Sequence, residues 1–386
     1  MLIPNTNYRA MLEAARPHEG FWLDCGLGHP AFDGNPAGVA ALESVPCLKG
    51  SNHYACEVPS TLSDAIMAFV LLMFKVTLSE NQIAVPTIGT RCVPGYISLE
   101  FLAENHRPMV WLAEAPGYPG HTVVIDQYGG VCKREATHGF EFIDIVEAME
   151  NKGRLQEYDA VIFQAVVNPT AKRTSDGAVR RIAEFAARTG KLVYFDGAYQ
   201  CVTHGSPVPS PLLEVGNPYS NIIWTYSTSK GDQLASLAYS LLLGDPRWVG
   251  KFSKVQSATR EGGSMAGYSA LEACLNNPGF LMETSHGYDR LHRLLASALS
   301  PAGMFVPKRE GSIFAYVPIP ECWWEAGKDS YDFAMELARN GVLTYTDRQF
   351  NDSGRHLRVN LSSFLDVPRV RDRLTEVVAS TNRMYN

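Results

Sequence analysis

The sequence lacks any apolar run long enough to cross a lipid bilayer. Its longest apolar stretch extends from Ala65 to Val76 and is interrupted by Lys75, whereas a membrane-spanning helix needs about 20 apolar residues. This stretch therefore predicts a buried helix. The first residues contain no charged segment followed by an apolar one, so we do not expect a secretory signal peptide.

Paired cysteines and a strong charge imbalance are also missing. The eight cysteines are scattered and none belongs to a Cys-x-x-Cys pair, which argues against a disulfide framework or a zinc site and favours the reducing cytoplasm. The formal net charge is -6, without the basic excess typical of nucleic-acid-binding proteins. We therefore expect no metal, no nucleic acid and no membrane among the partners.

What the chain does have is an alternation of strand-like and helix-like segments in its middle. Apolar runs at 159–167, 191–196 and 221–227 have strand length, and residues 175–190 place their apolar side chains on one helical face. Strands that alternate with helices predict an α/β fold with a mostly parallel sheet covered by helices on both faces.

The length of 386 residues predicts one large domain and one smaller domain. After about residue 284 the pattern changes to mixed helices and strands that suit a small α+β domain. We predict a large α/β domain over 46–284, a small C-terminal domain over 285–386, and a segment 1–45 that packs with the small domain.

Polar residues follow the three predicted strands where each strand ends. Singly, each has an ordinary structural interpretation, such as a turn, a helix cap or a solvated lysine. In a parallel sheet, however, the carboxyl ends of the strands lie side by side, so these side chains are expected to meet in one cleft. The residues are Asn168, Asp196, Tyr199, Ser227, Ser229 and Lys230.

In this order, the segments NPT (168–170), DGAY (196–199) and STSK (227–230) resemble the fold-type I pyridoxal 5′-phosphate (PLP) enzymes, specifically the class I/II aminotransferases. The resemblance extends over roughly residues 20–380. It implies the PLP-dependent transferase fold, with a seven-stranded-type sheet in the large domain, PLP as the cofactor and an amino acid as the substrate.

The resemblance also implies a role for each of these residues. Lys230 is the Schiff-base lysine, and Asp196 pairs with the pyridinium nitrogen. Asn168 and Tyr199 hydrogen-bond the phenolic oxygen of the cofactor. Ser227 and Ser229 face its phosphate. The catalytic set is Lys230, Asp196 and Tyr199.

Earlier segments complete the implied cofactor site. Gly89 and Thr90 lie in a glycine-containing turn before a helix, which can bind phosphate through backbone N–H groups, and Arg91 follows them directly. Tyr118 is expected to stack on the cofactor ring, and His121 to support Asp196 from behind. Tyr54 is expected to reach the phosphate of a partner subunit, since the family forms homodimers with shared active sites.

The predicted substrate site lies on the second domain and the N-terminal loop. Arg358 is the implied ligand of the substrate α-carboxylate, because a guanidinium meets a carboxylate through two hydrogen bonds; Arg355 is a weaker competitor. Gly28 belongs to a glycine loop that approaches the substrate. The same loop matches a dinucleotide-binding spacing, but Pro30 and Pro36 interrupt the helix that such a site requires.

Two departures from the family pattern bear on the reaction. Ala238 occupies the position of an arginine that usually pairs with the cofactor phosphate, and Arg91 is the candidate replacement. The stretch around Tyr54 lacks the usual glycine. The resemblance still favours an aminotransferase. The alternatives are a specialised biosynthetic PLP enzyme, for β- or γ-elimination, replacement, cyclisation, C–C bond formation (also on S-adenosylmethionine) or oxidation, and a non-catalytic domain of the same fold.

Overall fold

A computed structural model describes residues 6–14, 22–44, 58–217, 219–260 and 263–385. Tyr54 lies outside these residues. Within them the helices are α1 Thr6–Ala14, α2 Pro36–Ser44, α3 Ser60–Phe74, α4 Val93–Asn105, α5 Pro119–Gln127, α6 Phe142–Asn151, α7 Asp176–Thr189, α8 Pro246–Arg260, α9 Met265–Leu275, α10 Gly279–Leu299, α11 Glu321–Glu325, α12 Ser330–Arg339 and α13 Pro368–Asn382.

The described strands form three sheets, of seven, three and two strands. They are β1 Leu23–Asp24, β2 Ile83–Ala84, β3 Val110–Ala115, β4 Val131–Ala136, β5 Ala160–Gln164, β6 Leu192–Gly197, β7 Ile222–Ser227, β8 Ser240–Gly244, β9 Phe314–Pro318, β10 Val342–Leu343, β11 Tyr345–Thr346 and β12 His356–Asn360.

The large sheet has the strand order β2-β8-β7-β6-β5-β3-β4. All pairings from β7 to β4 are parallel, and β8 runs antiparallel to both of its neighbours. Successive residues alternate between two cores: Phe163 and Phe195 pack on one face, while Ile162 and Tyr194 pack on the other. Burial on both faces explains why these strands are continuous apolar runs. The predicted mostly parallel α/β sheet is confirmed.

Helix α7 shows how local sequence sets an element. The Ser175 side chain accepts a hydrogen bond from the Ala178 backbone N–H at the start, and Gly190 ends the helix with φ 66°. The helix predicted over 175–190 is thereby confirmed.

The apolar stretch 65–76 forms most of α3, but that helix is buried on one face only. Ile66 and Phe69 lie in the core, whereas Leu71 and Leu72 are 51% and 58% exposed. The predicted buried helix is therefore present, and its buried side is one face of α3. None of the helices in the described part of the chain is both long and apolar enough to cross a membrane.

The C-terminal region contains the antiparallel sheet β11-β12-β9, and helix α12 packs against β11 and β12. Helix α10 is continuous through residue 284. The N-terminal strand β1 pairs with β10, Leu23 opposite Val342. This pairing brings the residues that follow β1 to the region of β12, where the backbone N–H of Asn360 donates to the Cys25 carbonyl at 2.6 Å.

Candidate active site

Adjacent strands of the large sheet bring the predicted polar residues to one edge. Gln164 at the end of β5 lies opposite Asp196 on β6, and Asp196 lies opposite Thr225 on β7. Asn168 follows β5 and Lys230 follows β7, so both extend from the carboxyl ends of parallel strands.

Asp196 is a buried carboxylate with a histidine behind it. Its Oδ2 lies 3.0 Å from Nε2 of His121, and its Oδ1 accepts the Ala198 backbone N–H at 3.0 Å. The side chains of Asp196 and His121 are 8% and 2% exposed. The His121 ring also packs edge-on against Tyr118 and Tyr194, at centroid distances of 5.1 and 5.8 Å. The carboxylate is thus fixed in position by a hydrogen bond and by aromatic packing.

Lys230 extends into the cleft from the turn after β7. Its Nζ donates to the Gly28 carbonyl oxygen at 2.6 Å. Burial, assisted by the nearby positive charge of Arg358, lowers the pKa of Lys230 from 10.5 to about 8. A substantial fraction of this amine is therefore neutral and nucleophilic near pH 8.

Arg358 lies on β12 and is 6% exposed. Its two terminal nitrogens donate to Asn168 Oδ1 at 3.0 Å and to the Gly26 carbonyl at 2.7 Å. The guanidinium carbon also lies 3.9 Å from the ring centroid of Phe314 and 4.7 Å from that of Tyr345, which stabilises a buried cation. Asn168 and Arg358, 190 residues apart, thus meet in one place.

The N-terminal glycine loop lies across these residues. Gly26 and Gly28 supply the carbonyls that Arg358 and Lys230 bind, and Asn360 Nδ2 donates to the next carbonyl, that of His29, at 3.1 Å. A Cβ atom at Gly28 would lie 2.9 Å from the Phe314 ring. The loop therefore needs a glycine at this close approach.

The turn before α4 faces the segment that carries Ala238. Gly89 has φ 82°, and the closest atom to a Cβ at this position is the Ala238 carbonyl oxygen at 3.9 Å. The Thr90 carbonyl accepts from the Tyr194 hydroxyl at 3.2 Å. Arg91 is exposed, yet its positive charge lies near enough to Tyr118 to oppose, in part, the rise that burial causes in the pKa of that hydroxyl. Arg91 consequently lies at the same end of the cleft as Gly89 and Thr90.

The remaining predicted side chains line the same region. Tyr199 packs edge-on against Phe314 at 5.8 Å, and burial raises the pKa of its hydroxyl well above 10, which the charge of Arg358 only partly opposes. Ser227 is buried, and its Oγ accepts the Ser229 backbone N–H at 3.2 Å. Ser227 is the last residue of β7, and Ser229 lies on the turn that leads to Lys230.

Sequence reasoning missed several residues that hold this arrangement. Arg134 on β4 donates to the backbone carbonyls of Glu114 and Tyr118, at 2.7 and 2.6 Å, and fixes the turn between them. Asp232 accepts from the Tyr226 hydroxyl and from the Asn35 amide beneath the Lys230 turn. An arginine within a strand and a single aspartate in a loop give no local signal of such contacts.

The described residues include one further group of potential metal ligands, Asp347, Asp352 and His356. The Asp347 carboxylate already accepts backbone N–H groups from residues 354–356 and the Ser330 hydroxyl. It organises the turn before β12.

Known proteins share this architecture. A substrate-bound structure of BacF from Bacillus subtilis superimposes with a TM-score of 0.84 at 18% identity and covers 98% of this chain and 96% of that one. A double mutant of Thermus thermophilus aspartate aminotransferase gives a TM-score of 0.82 at 17% identity, with coverage of 96% and 95%. These likenesses confirm the predicted fold.

Sequence comparison gives the family. LL-diaminopimelate aminotransferase from Dehalococcoides mccartyi is 23% identical over 318 residues, which are 81% of this chain and 80% of that protein. The model of the family described as aminotransferase class I and II matches residues 71–370, well over half of the chain. The chain therefore belongs to the class I and II aminotransferase family, and it is an aminotransferase.

Proposed function

We propose that this aminotransferase uses PLP, held in the cleft between Lys230 and Asp196, to transfer the α-amino group of an amino acid. The observation that carries the proposal is the Asp196–His121 pair, a buried carboxylate supported at 3.0 Å, at the strand end beside the turn that presents Lys230. An aromatic nitrogen that must stay protonated fits a carboxylate of this kind.

The donor set fits each part of the cofactor. Lys230 would bind the aldehyde covalently, Asp196 the ring nitrogen, and Asn168 and Tyr199 the phenolic oxygen. Tyr118 would stack on the ring and His121 hold Asp196. The phosphate group would meet the following residues: Gly89, Thr90, Arg91, Ser227, Ser229 and, from a partner subunit, Tyr54. When bound, PLP supplies an aldehyde that captures amines and a ring that accepts the electrons released at the substrate Cα.

The chain's own groups then have defined tasks. Lys230 Nζ, with its lowered pKa, would take the proton from the substrate Cα and deliver it to the cofactor carbon that carried the aldehyde. Tyr199 stays protonated because burial raises its pKa, so its hydroxyl donates a hydrogen bond. Arg358 binds the substrate α-carboxylate through two parallel hydrogen bonds after releasing the Gly26 carbonyl.

At the phosphate end, Arg91 would supply the positive charge that Ala238 cannot. Its positive charge lies near Tyr118, and Gly89 lies beside Ala238, which supports a shared location. We expect Arg91→Ala to weaken PLP binding about tenfold or more, the effect of losing one charge-assisted hydrogen bond. Equilibrium dialysis against PLP measures this, and unchanged affinity would reject the assignment.

Lys230→Ala tests the central assignment. After borohydride reduction of the yellow protein, the peptide that contains Lys230 should gain the mass of the reduced cofactor, and the variant should neither gain it nor turn over substrate. Lys133→Ala, which changes an exposed lysine paired with Glu157, is the matched control. Labelling of another lysine in the wild type would refute the proposal.

The proposal also includes a homodimeric assembly, a cytoplasmic location and a division into domains. A homodimer with shared sites is supported by the exposed Leu71 and Leu72 on α3, and sedimentation of a fully active monomer would contradict it. A cytoplasmic location is supported by the free thiols of the six described cysteines. Packing of residues 1–45 with a small domain over 285–386, beside a large domain over 46–284, is supported by the β1–β10 pairing.

A further inference from the structure

A cavity of about 680 Å³ lies beside the cleft and is separate from it. Its wall is formed by the end of β3, residues 136–143 at and after the end of β4, residues 170–174 after β5, and the C-terminal residues 307, 308, 310 and 351–353. Neither Lys230 nor Asp196 lines it. A volume of this size is typical of small-molecule sites.

A buried carboxyl group lines the cavity. Glu114 is 5% exposed, and its Oε1 accepts a hydrogen bond from Gln164 Nε2 at 2.9 Å. Burial raises the pKa of Glu114 to about 7, more than the Gln164 hydrogen bond and the charge of Arg134 lower it. The ionised group is thus poorly compensated by its surroundings, and a cation with N–H donors would stabilise it.

Arg134 and Lys172, the two cations whose charges lower the pKa of Glu114, are engaged elsewhere. Arg134 directs its guanidinium to the carbonyls of Glu114 and Tyr118 and to the Thr122 hydroxyl. Lys172 Nζ donates to the Gly139 carbonyl at 3.0 Å. Neither forms a hydrogen bond to the Glu114 carboxylate among the described contacts, so that position suits a ligand.

The rest of the lining favours an organic ligand over a bare ion. Phe142, Ile143 and Phe163 are buried aromatic and aliphatic side chains of the wall, and Phe140, 64% exposed, also lines it. Apolar side chains with a few polar groups are the usual composition of a small-molecule site, and the polar members of this wall include Glu114, Glu141, Lys172, Arg173 and Asp352.

A short chain of hydrogen bonds joins this cavity to the cleft. The amide of Gln164 donates to Glu114, and its Oε1 accepts from the Asn168 backbone N–H at 3.4 Å. Asn168 Oδ1 in turn accepts from Arg358 at 3.0 Å. A ligand on Glu114 would therefore be joined to Arg358 of the cleft through two residues, Gln164 and Asn168.

We propose that this cavity binds a small organic cation with an apolar body, with its N–H donors on the Glu114 carboxylate, and that occupancy alters carboxylate binding at Arg358 through Gln164 and Asn168. Binding in the cavity is independent of the function proposed above. The coupling between the cavity and Arg358 rests on that proposed function.

Calorimetry on the cofactor-loaded enzyme tests the site with benzamidine, a planar cation on a phenyl ring, and with its neutral analogue benzamide. We expect benzamidine to bind at least about tenfold more tightly than benzamide, and Glu114→Gln to remove this preference. Glu157→Gln, an equal charge change at an exposed ion pair outside the cavity, should leave it unchanged. Equal affinity of wild type and Glu114→Gln for benzamidine would overturn the proposal.

A second variant keeps the site testable if Glu114→Gln fails to fold. Ser353 is exposed and lines the cavity, so Ser353→Trp should fill part of the space and weaken benzamidine binding while the buried network stays intact. Undiminished binding would place the ligand elsewhere.

The coupling has its own readout. Benzamidine should change the KM for the amino donor severalfold in wild type, with a smaller change in kcat, and should have no effect in Glu114→Gln. An unchanged KM at saturating benzamidine would refute the coupling and leave the calorimetric result standing. If the wild-type protein had no transaminase activity, the proposed function would be refuted. The calorimetry would still show whether the cavity binds benzamidine.

Discussion

Asp196 and Glu114 are two buried carboxylates at strand ends of the same sheet, and their surroundings give them different chemistry. Asp196 on β6 and Glu114 on β3 are both buried. Asp196 has the imidazole of His121 at 3.0 Å, whereas Glu114 has the neutral amide of Gln164 at 2.9 Å. An imidazole can carry a compensating positive charge and an amide cannot. The partner behind a carboxylate, more than its place in the sheet, determines what it can bind.

Removing the charge of each carboxylate is the strongest test of this difference. Asp196→Asn keeps the shape of the side chain but cannot hold a protonated ring nitrogen, so we expect kcat/KM to fall about a thousandfold or more. The isosteric change Glu114→Gln should lower it by less than about tenfold, because Glu114 lines the separate cavity. Steady-state kinetics of both variants measures this difference. Equal losses of kcat/KM would show that the two carboxylates do not differ in their roles.

Removing the partner of Asp196 should have a smaller effect. His121→Phe keeps the aromatic packing against Tyr118 and Tyr194 but loses the hydrogen bond to the carboxylate. We expect the affinity for PLP to fall about 10–100-fold, the range for one charge-assisted hydrogen bond. A titration followed by visible absorption measures it. His286→Phe, at an exposed position on α10, is the control. Equal affinities of the two variants for PLP would show that His121 does not support cofactor binding.

The smallest effect concerns the pH dependence of stability. Because the pKa of Glu114 is raised from 4.5 to about 7 in the folded protein, the fold holds this proton more tightly than the unfolded chain. The resulting stabilisation is complete below about pH 4.5 and is lost as the pH rises through about 7. Glu114→Gln does not titrate. The free energy of unfolding of wild type, relative to this variant, should therefore fall by about 2–3 kcal/mol between about pH 4.5 and about pH 8.

Urea denaturation of both proteins at the two pH values measures this difference. A difference that stays constant with pH would show that folding does not raise the pKa of the Glu114 carboxyl group. The comparison between the two carboxylates would then fail at its electrostatic basis.

The sequence was sufficient to locate Asp196 and Lys230 at strand ends, because buried parallel strands are continuous apolar runs with clear limits. It was less informative about 234–245, an apolar run of which only Ser240–Gly244 is a strand. Gln233 and Ala238 have φ 59° and 55° and lie in the loop before it. Hydrophobicity reports burial, and a buried loop and a buried strand give the same signal.

Contacts that involve backbone carbonyls could not be predicted. Lys230 and Gly28 are 202 residues apart in the sequence, and they meet only because the N-terminal loop folds back over the cleft. The hydrogen bond from Arg134 to the Tyr118 carbonyl was unpredictable in the same way. The position of a carbonyl depends on the tertiary path of the chain, and no side-chain pattern encodes it.

The Gly26–His29 loop has a consequence for which compounds the cleft admits. Arg358 and Lys230 bind carbonyls only two residues apart, Gly26 and Gly28, so a compound that displaces one carbonyl loosens the short peptide segment that carries the other. A carboxylate that binds Arg358 must take the place of the Gly26 carbonyl, so we expect its binding to be coupled to a shift of this loop. An amine without a carboxylate would leave the Arg358–Gly26 hydrogen bond intact and would not produce that shift.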